Sequence, residues 1–230
     1  MPVQVTARHR KQRFVFVPGL GTDGSAYKTF LDAFRSEYDV QSADLAVRFP
    51  QKLSWQFFFS PIDRAINRVT DQKPVILIGH SMGGSVALKY AASHPGRVER
   101  VIAIAPVLFP FKRVRHRTRE NLHNSLISLT GGHPLHALRI RGVIKRRTVG
   151  GRARKLYDFV DTIDLAYDLP KLRQAAILFP EHEEVTPRAH FEQVSQEFPK
   201  VRTVLILGSH HNIALAPKRV IEAVKKELHA

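Results

Sequence analysis

Short apolar runs, each a few residues long, recur at Phe14–Val17, Val75–Ile78, Val101–Ala105, Ala175–Phe179 and Val204–Leu207. They are apolar at consecutive positions rather than alternate ones, the mark of strands buried on both faces of a parallel sheet. Between them lie stretches with helical spacing: Ala26–Phe34, Pro61–Val69, Met82–Ser93, Arg188–Gln196 and Lys218–Leu228. Strand and helix alternate, which predicts an α/β architecture, a mostly parallel sheet with helices on both faces. Punctuation agrees: Pro95-Gly96 ends one helix, Pro187 opens another and Pro217 precedes the last. Val3–Arg8 is a candidate for a further edge strand.

The alternation fails between Pro106 and Pro170, where Gly131-Gly132 and Gly150-Gly151 interrupt helical pieces. We read this as a helical insertion of about residues 106–170 in a single domain whose core is 1–105 and 171–230. A chain of 230 residues suits that organisation. The insertion is strongly basic. From Lys112 to Lys155 there are thirteen Lys or Arg (Lys112, Arg113, Arg115, Arg117, Arg119, Arg139, Arg141, Lys145, Arg146, Arg147, Arg152, Arg154, Lys155) against one acid, Glu120. The net charge of +16 favours an acidic partner, such as an acidic substrate or carrier protein, or else a solvated basic face. The composition, 43% hydrophobic and 24% charged, is that of a soluble globular protein. There is no cysteine, which excludes disulfide and thiolate chemistry. No apolar run reaches the roughly 20 residues of a membrane span and Met1–Phe14 lacks an apolar signal segment, so the expected location is cytoplasmic.

The chemistry begins directly after Val75–Ile78, with Gly79-His80-Ser81-Met82-Gly83 running into a helical stretch. This is G-x-S-x-G between a strand and a helix. The serine needs a sharp, strained turn to stand clear of the sheet, and glycines two residues to either side remove side chains that would clash. The helix then points its first N–H groups and positive dipole end at a developing oxyanion. A phosphate loop is a poorer reading of this turn, because neither G-K-[ST] nor G-x-G-x-x-G follows Val75–Ile78.

A serine hydroxyl is a weak nucleophile near neutral pH, so a histidine must take its proton and an acid must orient that histidine. In its motif and setting the chain resembles the α/β-hydrolase fold family, serine esterases and lipases, in which the order is serine, acid, histidine. The segment Pro180-Glu181-His182-Glu183-Glu184-Val185-Thr186-Pro187 is similar to the family's acid loop, G-x-x-D-x-x-x-P, with Pro180 in the glycine position and Glu183 in the acid position. Asp161, Asp164 and Asp168 are the alternatives, since some members carry the acid after an earlier strand. Gly208-Ser209-His210-His211-Asn212 is similar to the histidine loop. Counting from Gly208 selects His211, whereas counting back from Pro217 selects His210; the ungapped fit from Glu183 favours His211. His80 and His182 read as structural neighbours of the elbow and the acid loop.

Pro18-Gly19-Leu20-Gly21 after Phe14–Val17 resembles the family's H-G-x-G segment, with Pro18 replacing the histidine that helps shape the loop. By that resemblance the oxyanion donors are the backbone N–H groups of Leu20 and Met82. The insertion falls where the family carries its helical cap. No metal is expected, as the twelve histidines show no H-E-x-x-H, and the chemistry needs no cofactor. The resemblance implies hydrolysis of carboxylic esters or related acyl bonds, including thioesters on a carrier, with a small-molecule acyl substrate. The competing readings are a non-catalytic binding protein on the same fold and, for the charge, nucleic-acid binding, for which no helix-turn-helix, zinc-finger or RNP-like motif is present.

Overall fold

The computed structural model describes residues 11–19, 22–45, 53–68, 73–110, 158–183, 186, 188–209 and 212–230. The candidate strand Val3–Arg8, the helix-opening Pro187 and residues 111–157, with the basic run from Lys112 to Lys155, lie outside the described residues. Six parallel strands form one sheet in the order β2-β1-β3-β4-β5-β6. They are β1 (Arg13–Val17), β2 (Asp39–Ser42), β3 (Val75–His80), β4 (Val98–Ile104), β5 (Ala175–His182) and β6 (Arg202–Ser209). The helices are α1 (Lys28–Asp32), α2 (Trp55–Asn67), α3 (Met82–Ser93), α4 (Arg188–Glu197), α5 (Asn212–Leu215) and α6 (Lys218–Leu228), with 3₁₀ turns at Gly24–Tyr27 and Leu169–Lys171. No helix among the described residues is long and apolar enough to cross a membrane.

Side chains on successive strand residues point to opposite faces, and each face carries its own core. Val15, Val17, Leu77 and Ile177 pack with Phe58 and Ile62 of α2 and Val86 of α3. Phe14, Phe16, Ile78 and Leu178 pack with Phe30 and Phe34 on one side and Val220 and Val224 of α6 on the other. The ring centroids of Phe14 and Phe34 lie 5.0 Å apart, and those of Phe16 and Tyr27 4.8 Å. Burying each such phenylalanine contributes about 1.5–3 kcal/mol. Val107, Leu108, Phe109, Ile163, Leu165 and Leu169, at the two ends of the segment read as an insertion, are also buried in the first core.

Two elements differ from the sequence pattern. β2 is short and polar, and of its residues only Val40 is buried, because an edge strand has a neighbour on one side only. Apolar runs cannot reveal such a strand. α2 begins at Trp55 rather than Pro61, which stands inside the helix. Proline lacks an N–H for the carbonyl four residues back. The cost is tolerated because Phe58, Phe59 and Ile62 on that helix are buried in the core.

The strand order reverses at β1, with β2 on one side and β3 on the other. Loops leaving the carboxyl ends of neighbouring strands diverge at such a point and leave a crevice. β1 and β3 pair there, Val17 opposite Gly79. The glycine-rich segment after β1 and the Ser81 turn after β3 therefore begin side by side.

Candidate active site

Ser81 holds φ 54° and ψ −128°, and is one of two non-glycine residues with positive φ among the described residues, the other being Ala105. Its N–H donates to the Ile104 carbonyl of β4 at 2.8 Å. Its own carbonyl accepts from Gly84 N–H (2.8 Å) and Ser85 N–H (3.2 Å), which closes the turn onto α3. The two motif glycines are required by contact distance. A Cβ on Gly79 would sit 2.3 Å from the Gly83 carbonyl oxygen, and one on Gly83 would sit 2.3 Å from the carbonyl oxygens of both Val17 and Pro18. The second contact presses the elbow against the end of β1. Met82 follows the serine as the first residue of α3, and the first four N–H groups of a helix have no partner within it.

Glu183 directly follows β5 at the same edge of the sheet as Ser81, with β4 between their strands. Its Oε1 accepts the Thr186 N–H at 2.9 Å, and the Thr186 hydroxyl donates to the Pro106 carbonyl at 3.4 Å. The loop that carries Glu183 is thus fastened to the chain leaving β4. Ser85, on the first turn of α3, donates to the Val107 carbonyl at 2.5 Å, so the same segment also holds the helix that follows Ser81. Leu20, His210 and His211 lie outside the described residues.

The alternative acids stand elsewhere. Asp168 is buried in an ion pair with Lys89 of α3 at 2.7 Å, with Lys171 at 3.8 Å. Lys89 is eight residues beyond Ser81, about 12 Å along the helix. Asp164 accepts the Ala166 N–H at 3.1 Å and Asp161 is exposed. All three precede β5, whereas Glu183 follows it. His182 is exposed at the end of β5, and His80 is buried beneath the elbow.

Several residues escaped the sequence reading. Tyr27, Thr186 and Ser85 each join segments that meet only in the folded sheet, whereas Thr22 bonds within its own segment to Gly19 and Tyr27; no local motif marks these roles. His190 on α4 packs edge-on to Phe109, ring centroids 5.1 Å apart. Burial lowers its pKa to about 4, which leaves a neutral ring near neutral pH. No group of three or more His, Cys, Asp or Glu side chains among the described residues could hold a metal ion.

A family model described as the Alpha/beta hydrolase family matches residues 14–223. The chain is 25% identical, over a 239-residue alignment, to a Haemophilus influenzae protein whose proposed identity is esterase/lipase; the match covers 93% of this chain and 82% of that protein. Among solved structures, the enol-lactonase of Burkholderia xenovorans LB400 superposes with TM-score 0.78 at 18% identity, covering 97% of this chain and 94% of that one. A thermophilic esterase of Thermogutta terrifontis gives TM-score 0.76 at 19% identity, covering 96% and 90%. At such identities these two likenesses concern the fold.

Proposed function

The chain belongs to the alpha/beta hydrolase family, and from that premise we propose that it is a serine hydrolase cleaving carboxylic esters or related acyl bonds through an acyl-enzyme. The observation that carries the reading is Ser81 in a strained turn between β3 and α3. Strain of this kind persists where the surroundings enforce it, and it lifts a hydroxyl out of the sheet. In this reading Ser81 attacks the acyl carbon, His211 takes its proton and returns it to the leaving group, and Glu183 holds the imidazole. The N–H groups of Leu20 and Met82 receive the oxyanion, and water then hydrolyses the ester on Ser81. The esterase/lipase identity proposed for the Haemophilus influenzae relative agrees with this class of reaction. The basic run from Lys112 to Lys155 extends the reading to an anionic acyl substrate or one presented by an acidic carrier.

A fluorophosphonate probe tests the nucleophile. The expected result is one covalent adduct per chain, mapped by mass spectrometry to the peptide containing Ser81. Absence of labelling would leave a non-catalytic binding protein as the better reading.

The acid has its own test. Glu183→Gln keeps the shape of the side chain and its acceptor for the Thr186 N–H, but removes the charge that stabilises an imidazolium. Turnover of p-nitrophenyl butyrate should fall by about 10²- to 10⁴-fold, less than for loss of the nucleophile. A fully active variant would move the acid to Asp161, Asp164 or Asp168.

A further inference from the structure

Beneath the elbow, Gly19, Tyr27 and His80, all buried, form a polar cluster with the half-buried Thr22. The Gly19 N–H donates to the Tyr27 hydroxyl at 3.1 Å. The Thr22 hydroxyl lies 2.8 Å from the Gly19 carbonyl and 3.1 Å from the Tyr27 hydroxyl, and the Tyr27 hydroxyl lies 2.9 Å from His80 Nδ1. Tyr27 and His80 are 2% and 3% exposed, so their mutual contact is buried, whereas Thr22 is half-buried. Burial also raises the Tyr27 pKa, keeping the phenol protonated.

Proton counting gives the cluster a direction. A carbonyl only accepts, so Thr22 commits its one hydroxyl proton to Gly19. The Thr22–Tyr27 contact then requires the phenolic proton, and the Tyr27–His80 contact requires a proton on His80 Nδ1. The phenol oxygen accepts from Gly19 N–H and from His80 Nδ1–H and donates to Thr22, which uses its full capacity. The sequence of donors runs from His80 through Tyr27 and Thr22 to the Gly19 carbonyl.

We propose that Tyr27, Thr22 and His80 are positioning residues that set the oxyanion loop of this chain, with His80 protonated on Nδ1. The inference rests on the serine-hydrolase reading above. Gly19 is held at both ends, its N–H by Tyr27 and its C=O by Thr22, whose own N–H also donates to that carbonyl at 3.2 Å. In a trans peptide the N–H lies opposite the C=O. Fixing the Gly19 carbonyl therefore aims the N–H of Leu20, the donor assigned to the oxyanion. The cluster does this in a chain where Pro18 stands in place of the histidine that shapes the loop in the family. A side chain at position 19 would intrude on the cluster, since its Cβ would lie 3.0 Å from both His80 Nδ1 and the Tyr27 hydroxyl.

The test uses kinetics and nitrogen-15 NMR of the full chain. A misaimed oxyanion donor weakens the transition state more than the ground state. Tyr27→Phe and Thr22→Val should each lower kcat for p-nitrophenyl butyrate by about tenfold or more, with KM within about twofold. Thr22→Ser, which restores the hydroxyl, should recover most of the turnover, and the double variant should lose less than the product of the two single losses. The His80 signal, identified by its absence in His80→Asn, should show a proton on Nδ1. A wild-type kcat in both Tyr27→Phe and Thr22→Val, equal loss in Thr22→Ser, or an Nδ1 without a proton would overturn the inference. The NMR result does not depend on catalysis. If fluorophosphonate labelling of Ser81 fails while Nδ1 carries its proton, the hydrolase reading has failed and the hydrogen-bond assignment has not.

Discussion

Ser81→Ala should reduce turnover of short p-nitrophenyl esters by about four to six orders of magnitude while the protein stays folded. The hydroxyl is the acyl acceptor in the proposed mechanism, and no neighbouring group can replace a covalent bond to it. The fold should survive because the hydroxyl accounts for none of the backbone bonds that shape the turn. The Ser81 N–H still reaches Ile104, and its carbonyl still receives Gly84 and Ser85. Alanine carries the same Cβ as serine, so the strain of φ 54° is common to both proteins and cancels in their comparison. Steady-state kinetics paired with a thermal melt by circular dichroism checks both halves. A folded, fully active variant would remove Ser81 from the mechanism.

His211→Ala should come close to the same loss, about 10⁴- to 10⁶-fold in kcat, because the serine and its base act as one unit. For the same reason Ser81→Ala/His211→Ala should be no slower than the slower single variant. His210→Ala should retain activity within about tenfold, as a neighbour of the base with no proton to move. Kinetics of the three variants on p-nitrophenyl butyrate discriminates the two histidines. If His210→Ala is the inactive one, the spacing to Pro217 was the better guide to the base than the spacing from Gly208.

Residues whose signal is local were legible in the sequence. Val75–Ile78 announces a buried strand by its own composition, and Gly79 and Gly83 mark the turn because nothing larger than hydrogen fits there. The limits of α3 and α6 were legible for the same reason, with Pro95 and Pro217 close to their ends. Elements defined by what lies beside them were not. Asp39–Ser42 has no apolar run because only Val40 meets the core, and Trp55–Ser60 was hidden because Pro61 looks like a helix start. The site divides in the same way. Ser81 and Glu183 follow recognisable strands, whereas Tyr27 meets His80 across 53 positions and Thr186 meets Pro106 across 80. Such pairs exist only after β1, β3, β4 and β5 have been laid side by side.

The buried residues at the two ends of the segment 106–170 bear on how freely this chain can change. The Leu165 N–H donates to the Leu108 carbonyl at 2.9 Å, and Phe109 and Ile163 enter the same core, so the chain departs from and returns to one small region. Whatever occupies the intervening positions, the work of bringing its ends together is done by contacts the core already makes. Loop-closure entropy rises only logarithmically with length, each doubling costing about 0.6 kcal/mol. The segment can therefore be lengthened, shortened or exchanged between relatives with little thermodynamic consequence for the sheet, while Ser85 and Thr186 keep α3 and the loop after β5 tied to its base. Substrate preference can then diverge independently of the catalytic frame.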